Sequence, residues 1–208
     1  MNLPAISRRR IVAGICMAPL AGCSALMDSP SSQMYRLDPA DLDPAASPVP
    51  RGSLAVAMPT APQNLDSDRI ALSRGTTHFD YFAESTWTDR VPAMLQALLV
   101  EAFETDGRVA DVWTDRDSTT TGYLLQTAVR QFTASYGSAA VDPPVVAVSL
   151  DVRLLRIPRQ QTVGRNMIIE QQKAARNDLA DVVHAFDRAT GKLLNRCVAF
   201  TLHAMRQS

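Results

Sequence analysis

Histidine and cysteine are scarce in this chain, with three of each among 208 residues. His78, His184 and His203 lie far apart and show none of the spacings that gather ligands around a metal, so each reads as a surface or satisfied core histidine. Cys16 and Cys23 fall in the N-terminal segment, which leaves Cys197 without a mate for an intramolecular disulfide. Leu193, Leu194, Val198 and Phe200 around it mark Cys197 as a small buried hydrophobe. Neither sign of charge prevails, since 21 Lys+Arg face 21 Asp+Glu. No basic stripe is present, which argues against nucleic acid, because phosphate contacts need clustered Lys and Arg. No apolar run approaches the ~20 residues of a membrane-spanning helix. The chain also lacks a P-loop, a Gly-x-Gly-x-x-Gly, a Gly-x-Ser-x-Gly and a Cys-x-x-Cys, so no cofactor and no catalytic machinery is signalled.

What is present begins at the N-terminus. Ser7-Arg8-Arg9-Arg10 is a basic segment, and Ile11 to Ala21 is an apolar stretch of signal-sequence length. Arg8-Arg9-Arg10 also bears a slight likeness to a twin-arginine export signal. The stretch closes in Leu20-Ala21-Gly22-Cys23, which resembles the lipobox of bacterial lipoproteins. Small side chains admit the backbone to a peptidase cleft, and the Cys23 thiol is the nucleophile that takes up diacylglycerol as a thioether. Residues 1–22 are therefore expected to be a removable signal and Cys23 the lipidated N-terminus. By analogy with that class, Ser24 in place of an acid after the cysteine implies the periplasmic face of the outer membrane of a Gram-negative cell. Residues 1–22 carry three Arg and no acid, so the remaining 186 residues hold 18 basic and 21 acidic groups. Residues 23–32 form a polar tether that, fully extended, reaches about 33–36 Å.

Residues 33–208 have the size of one domain. Tyr35–Leu37, Ser53–Met58, Arg69–Ser73, His78–Phe82 and Ala110–Trp113 read as short strands separated by loops. Val91, Met94, Leu95, Leu98, Leu99, Ala102 and Phe103 recur at helical spacing, which predicts a helix over Trp87–Thr105 with Thr88 or Asp89 as N-cap and Gly107 as stop. Tyr123–Phe132 and Val145–Leu155 read as long strands, and Met167–Lys173 as another. In Val145–Leu155, Val146, Val148, Leu150, Val152 and Leu154 face one way, and Ala147, Ser149, Asp151 and Arg153 face the other. One face packed and one wet suits a sheet with helices on one side. From Asp178 onward, Leu179, Val182, Val183, Phe186, Leu193, Leu194, Cys197 and Val198 favour a second helix. A hairpin turning at Asp187–Gly191 is the rival, because Gly191 costs a helix about 1 kcal/mol against Ala.

Few residues carry a chemical signature. Asp115-x-Asp117-x-Thr119 opens like a calcium loop, but Thr120 stands where glycine is needed and Gln126 where glutamate is needed. Glu101, Glu104 and Asp106 read as a solvated helix face. The loop from Thr60 to Asp66 is first a connection and second a candidate partner contact through Leu65 and Asp66. Trp87 is first a packing anchor and second a contact platform.

Taken in order, these segments resemble the ABC-type transport auxiliary lipoprotein family. The likeness rests on Tyr35-Arg36-Leu37 soon after a lipidated cysteine, then Leu54-Ala55-Val56 leading to Pro62-Gln63-Asn64-Leu65-Asp66 and Arg69-Ile70-Ala71-Leu72. Trp87-Thr88-Asp89-Arg90-Val91 follows, then Tyr123-Leu124-Leu125 to Arg130-Gln131-Phe132, and last Val183-His184-Ala185-Phe186-Asp187. It spans about Tyr35 to Ala204. The resemblance implies an α/β (α+β) fold, one domain with two helices packed on a mainly antiparallel or mixed sheet. It further implies a non-enzymatic, outer-membrane-anchored auxiliary component of an intermembrane lipid transport system. The implied partners are an MCE-domain protein with its permease and ATPase; a homo-oligomeric ring of further copies is an option that the resemblance leaves open. The rival readings are an envelope-assembly or peptidoglycan-associated structural lipoprotein and, further off, a periplasmic hydrolase.

Overall fold

The computed structural model describes residues 33–38, 52–114, 122–137 and 141–208. Chain order is β1 (Gln33–Tyr35), β2 (Ser53–Val56), β3 (Arg69–Arg74), β4 (His78–Trp87), α1 (Val91–Asp106), β5 (Asp111–Thr114), β6 (Gly122–Tyr136), β7 (Val145–Ile157), β8 (Gln161–Lys173) and α2 (Leu179–Gln207). The architecture is α+β, a single domain in which two helices pack on a mixed eight-stranded sheet.

The three long strands β6, β7 and β8 form an antiparallel meander. Strand β7 pairs along nearly the whole of one edge of β6. The other edge is shared: β2 lies parallel to Tyr123–Leu125 and β3 lies parallel to Ala134–Tyr136. Between them Thr60 bridges to Ala128, with Thr60 N–H on the Thr127 carbonyl at 3.0 Å and Val129 N–H on the Thr60 carbonyl at 2.8 Å. The chain thus follows β6, leaves it as a loop at 61–68, and returns to it as β3. Strand β5 extends the β2 side, and β4 and then β1 extend the β3 side.

The helix over the α1 sequence starts later than its apolar spacing predicts. Trp87 closes β4 instead of heading α1, and β4 runs five residues past Phe82. The backbone explains this: Trp87 N–H donates to the Asp68 carbonyl at 2.6 Å and Thr88 N–H to the Tyr35 carbonyl at 2.9 Å. Those groups are committed to the sheet. Pro92, which needs no N–H partner in a first helical turn, marks the start. The N-cap is Arg90, with no side-chain cap, and not Thr88 or Asp89. Gly107 does end the helix, at φ 73°, with its N–H on the Phe103 carbonyl at 3.2 Å. All seven apolar positions of the predicted face are buried. Gln96, polar in sequence, is buried too, and its Nε2 donates to the Val56 carbonyl at 2.9 Å, pinning α1 to β2. Asp106 is likewise not on the solvated face. It is 4% exposed and forked by Arg108 at 2.6 and 2.8 Å.

Helix α2 settles the hairpin alternative. It is continuous through Gly191, with Asp178 as N-cap accepting from Asp181 N–H at 3.0 Å. Its buried side includes Val182, Val183, Phe186, Ala189, Leu193, Leu194, Cys197 and Val198, and burial of several large side chains at ~1.5–3 kcal/mol each outweighs the glycine penalty. The centre of the core is an aromatic triangle. Trp87 of β4 stands edge-on to Phe132 of β6 and to Phe186 of α2, with centroids 5.8 and 5.2 Å apart, and Phe132 and Phe186 are 4.9 Å apart. The wet face of β7 is shorter than its alternation suggests. Ala147 and Ser149 are buried, and only from Asp151 does that face open. Both are small and lie in register between larger neighbours, Thr133 and Gln171 for Ala147, Gln131 and Ile169 for Ser149.

Candidate functional site

The open part of the sheet carries a charged groove. Val152 and Leu154 point into the core, so Asp151 and Arg153 project from the opposite face of β7. Register places Arg153 between Gln126 and Arg165, and Asp151 between Ala128 and Met167. Arg130 is the extra residue of a bulge in β6, which turns it toward Asp151. Arg165 grips Asp151 with two bonds, Nε to Oδ1 at 3.2 Å and Nη2 to Oδ2 at 2.7 Å, and Arg130 Nη2 reaches Oδ2 at 3.2 Å. Ala57, Met58 and Thr60 complete the wall of a cavity of about 330 Å³.

The Arg165 hydrogen bonds, opposed by burial and helped by Arg130, hold the Asp151 carboxyl down to about 2. Because that value lies below the ordinary 3.8, the unfolded chain takes up the proton first as pH falls. The stabilisation is complete above about pH 4 and is lost between about pH 4 and 2. Asp151→Asn is therefore expected to melt below the wild type at pH 6, with the gap closing toward pH 2.5. Melting curves across that range check it, and a gap that stays constant would show that the carboxylate charge contributes nothing.

A second feature is the ledge around the loop 61–68. Leu65 N–H and Asp66 N–H both fold back on the Pro62 carbonyl, at 2.8 and 2.9 Å. Val91 N–H, at the start of α1, donates to the Ser67 carbonyl at 3.1 Å, and Asp66 pairs with Arg90. Of the three residues considered for partner contact, Leu65 and Trp87 are buried, at 5% and 1% exposure, and Asp66 is half-buried. Leu65 and Trp87 support the ledge from beneath, and of the three Asp66 alone keeps appreciable solvent-exposed surface. Beside it Arg69 stacks over the Tyr81 ring at 3.9 Å, and the Tyr81 hydroxyl donates to the Asn64 carbonyl at 3.0 Å.

Leu20, Ala21, Gly22 and Cys23 lie outside the described residues, as does the segment Asp115–Thr119. Cys197 is fully buried in α2, and burial pushes its thiol up to about 12, so it stays protonated and inert. Among the described residues no three His, Cys, Asp or Glu side chains gather as a metal site, and no helix is long and apolar enough to cross a membrane. The arginine groove escapes sequence reasoning. The β7 alternation puts Asp151 and Arg153 on one face, but Arg165 reaches them only through the β7–β8 register, and Arg130 only through a bulge.

These features define the class: an α+β module of two helices on a curled mixed sheet, with a charged groove on the face away from them. The chain belongs to the ABC-type transport auxiliary lipoprotein family, whose model, described as the ABC-type transport auxiliary lipoprotein component, matches residues 35–198. It is similar to an uncharacterized protein of Bradyrhizobium diazoefficiens, 26% identical over 168 residues. That match covers 80% of this chain but 44% of the relative, so the chain spans less than half of that protein's length. The fold is similar to the crystal structure of a Xanthomonas campestris protein, at 25% identity and TM-score 0.77, covering 84% of this chain and 97% of that one. A further uncharacterized protein of known structure shares the fold, with 14% identity and TM-score 0.62 over 80% of this chain and 95% of that one.

Proposed function

We propose that the protein is a non-enzymatic lipoprotein, held by acylated Cys23 at the periplasmic face of the outer membrane, that serves an ABC-type intermembrane lipid transport system. Its partners in this reading are an MCE-domain protein with its permease and ATPase. The observation that carries it is the family match over residues 35–198, which takes in nearly all of the folded domain. The sequence before it supports the anchor. A basic segment, an apolar stretch and Leu20-Ala21-Gly22-Cys23 precede the domain in the order that lipoprotein processing requires. Several acyl chains, each contributing about 0.8 kcal/mol per buried CH₂, make such an anchor effectively permanent. Residues 23–32 as tether would keep the domain within about 33–36 Å of the membrane. ATP hydrolysis then belongs to another subunit, which accords with a sequence that has no P-loop.

Two measurements test the reading separately. Cys23→Ala is expected to abolish incorporation of labelled palmitate and to leave a soluble or unprocessed protein. Label that persists in the variant would refute the lipobox assignment. Affinity purification of the wild-type chain from detergent-solubilised envelopes is expected to bring down an MCE-domain protein with its permease and ATPase. Recovery of peptidoglycan-linked proteins in their place would replace the transport role with a structural one and leave the anchor standing.

A further inference from the structure

We propose that the groove between β6, β7 and β8 is a binding site for a phosphate group, with an adjoining apolar strip for the hydrocarbon of a phospholipid. Among the described residues, Arg130, Arg153 and Arg165 line the cavity with Asp151 as the one carboxylate, an excess of two positive charges. Asp151 is already held by Arg130 and Arg165. Arg153 is exposed, and among the described residues it has no acidic partner. It stands directly opposite Arg165 in the ladder, an arrangement of like charges that destabilises a sheet when nothing lies between them. A bound anion removes that repulsion.

The donors also suit phosphate by shape. A guanidinium offers five N–H groups in a planar fork that matches phosphate in pairs. Arg165 spends two donors on Asp151 and Arg130 one, so each keeps others for a ligand. Gln126, in register beside Arg153, adds an exposed amide at the rim. The cavity volume of about 330 Å³ is at the lower end of small-ligand sites, about 300–1,000 Å³, enough for a phosphate with a small polar substituent.

The apolar strip lies along the same strand. Ile168 is fully buried, so its neighbours Met167 and Ile169 share the outward face of β8 with Arg165. They are 45% and 49% exposed, two of the few large hydrophobic side chains that the described domain shows to solvent. A charged groove continuing into exposed apolar side chains fits an amphiphile whose head is an anion. Binding of phosphate itself does not depend on the transport role proposed above; the lipid arm deepens it.

The test uses the full chain purified in a non-ionic detergent and isothermal titration with two probes, inorganic phosphate and dihexanoylphosphatidylglycerol. Saturable phosphate binding is expected, weakened at least tenfold in Arg153→Gln and within twofold of wild type in Arg188→Gln, a surface arginine of α2. Arg165→Lys keeps the charge beside Asp151 and loses the fork, and it too is expected to weaken binding at least tenfold. If the short-chain lipid binds at least tenfold more tightly than phosphate and Met167→Ser removes that gain, the ligand is a lipid headgroup. If the two probes bind equally, it is a free phosphate or phosphate ester. Absence of saturable binding of both probes, or equal weakening by Arg153→Gln and Arg188→Gln, overturns the site, and neither result bears on which proteins co-purify.

Discussion

Trp87→Ala is expected to lower the unfolding free energy by about 3–5 kcal/mol, the range for truncating a large buried aromatic. Trp87 is 1% exposed and joins three elements, since its ring meets Phe132 and Phe186 edge-on. Each such pair contributes about 0.5–1.5 kcal/mol beyond the area buried. The cavity would open where β4, β6 and α2 meet, and α2 and β6 cannot close it without breaking their own pairings. Trp87→Phe discriminates the cause. The indole Nε1 is buried and has no hydrogen-bond partner among the described residues. A phenyl ring keeps much of the packing and removes that unpaired donor, so it should cost about 2 kcal/mol less than alanine. Urea titration of both variants checks this. Equal losses would mean that the site depends on the indole itself and not on ring packing.

A comparable loss is expected at Gly122, for reasons of backbone. It begins β6 at φ +113°, a conformation that residues with a side chain rarely adopt. A Cβ there would come within 2.7 Å of the Ser53 carbonyl oxygen. That oxygen belongs to β2, which pairs with β6 one residue further on, at Leu54–Tyr123. Relief would require parting the two strands. Gly122→Ala should therefore cost about 1–3 kcal/mol in backbone strain and about 1–3 kcal/mol more in overpacking. Gly75→Ala is the control. It also has positive φ, at +63°, but nothing lies within 4 Å of the Cβ position, so only the smaller strain cost applies. If the two variants melt together, the close approach to β2 is not what Gly122 serves.

The identity of the elements was legible where one physical rule acted alone. The α1 face from Val91 to Phe103 and the α2 face from Val182 to Val198 are helical periodicities, and both are buried as their spacing requires. The alternation in Val145–Leu155 marks a strand, because period two is a property of the extended chain itself. Reading failed where a distant partner overrides the local pattern. Trp87 and Thr88 look like the opening of a helix, but Asp68 and Tyr35 claim their N–H groups for the sheet. Asp106 looks solvated at the end of α1, but Arg108 and the core close over it.

The candidate site divides along the same line. Leu65 and Asp66 stood out in sequence as a loop, but whether their side chains face solvent depends on how the ledge folds onto α1. Sequence by itself determined the resemblance to the family, the strand and helix periodicities, and the placing of Asp151 and Arg153 on the wet face of β7. Each of these depends only on residue order and local backbone geometry. Tertiary structure alone decided that β2 and β3 share one edge of β6, that Trp87, Phe132 and Phe186 meet, and that Arg130 and Arg165 converge on Asp151 beside Arg153. Those depend on strand register and on a bulge, and register is set by the whole sheet packing its apolar face at once, which no local stretch of sequence encodes.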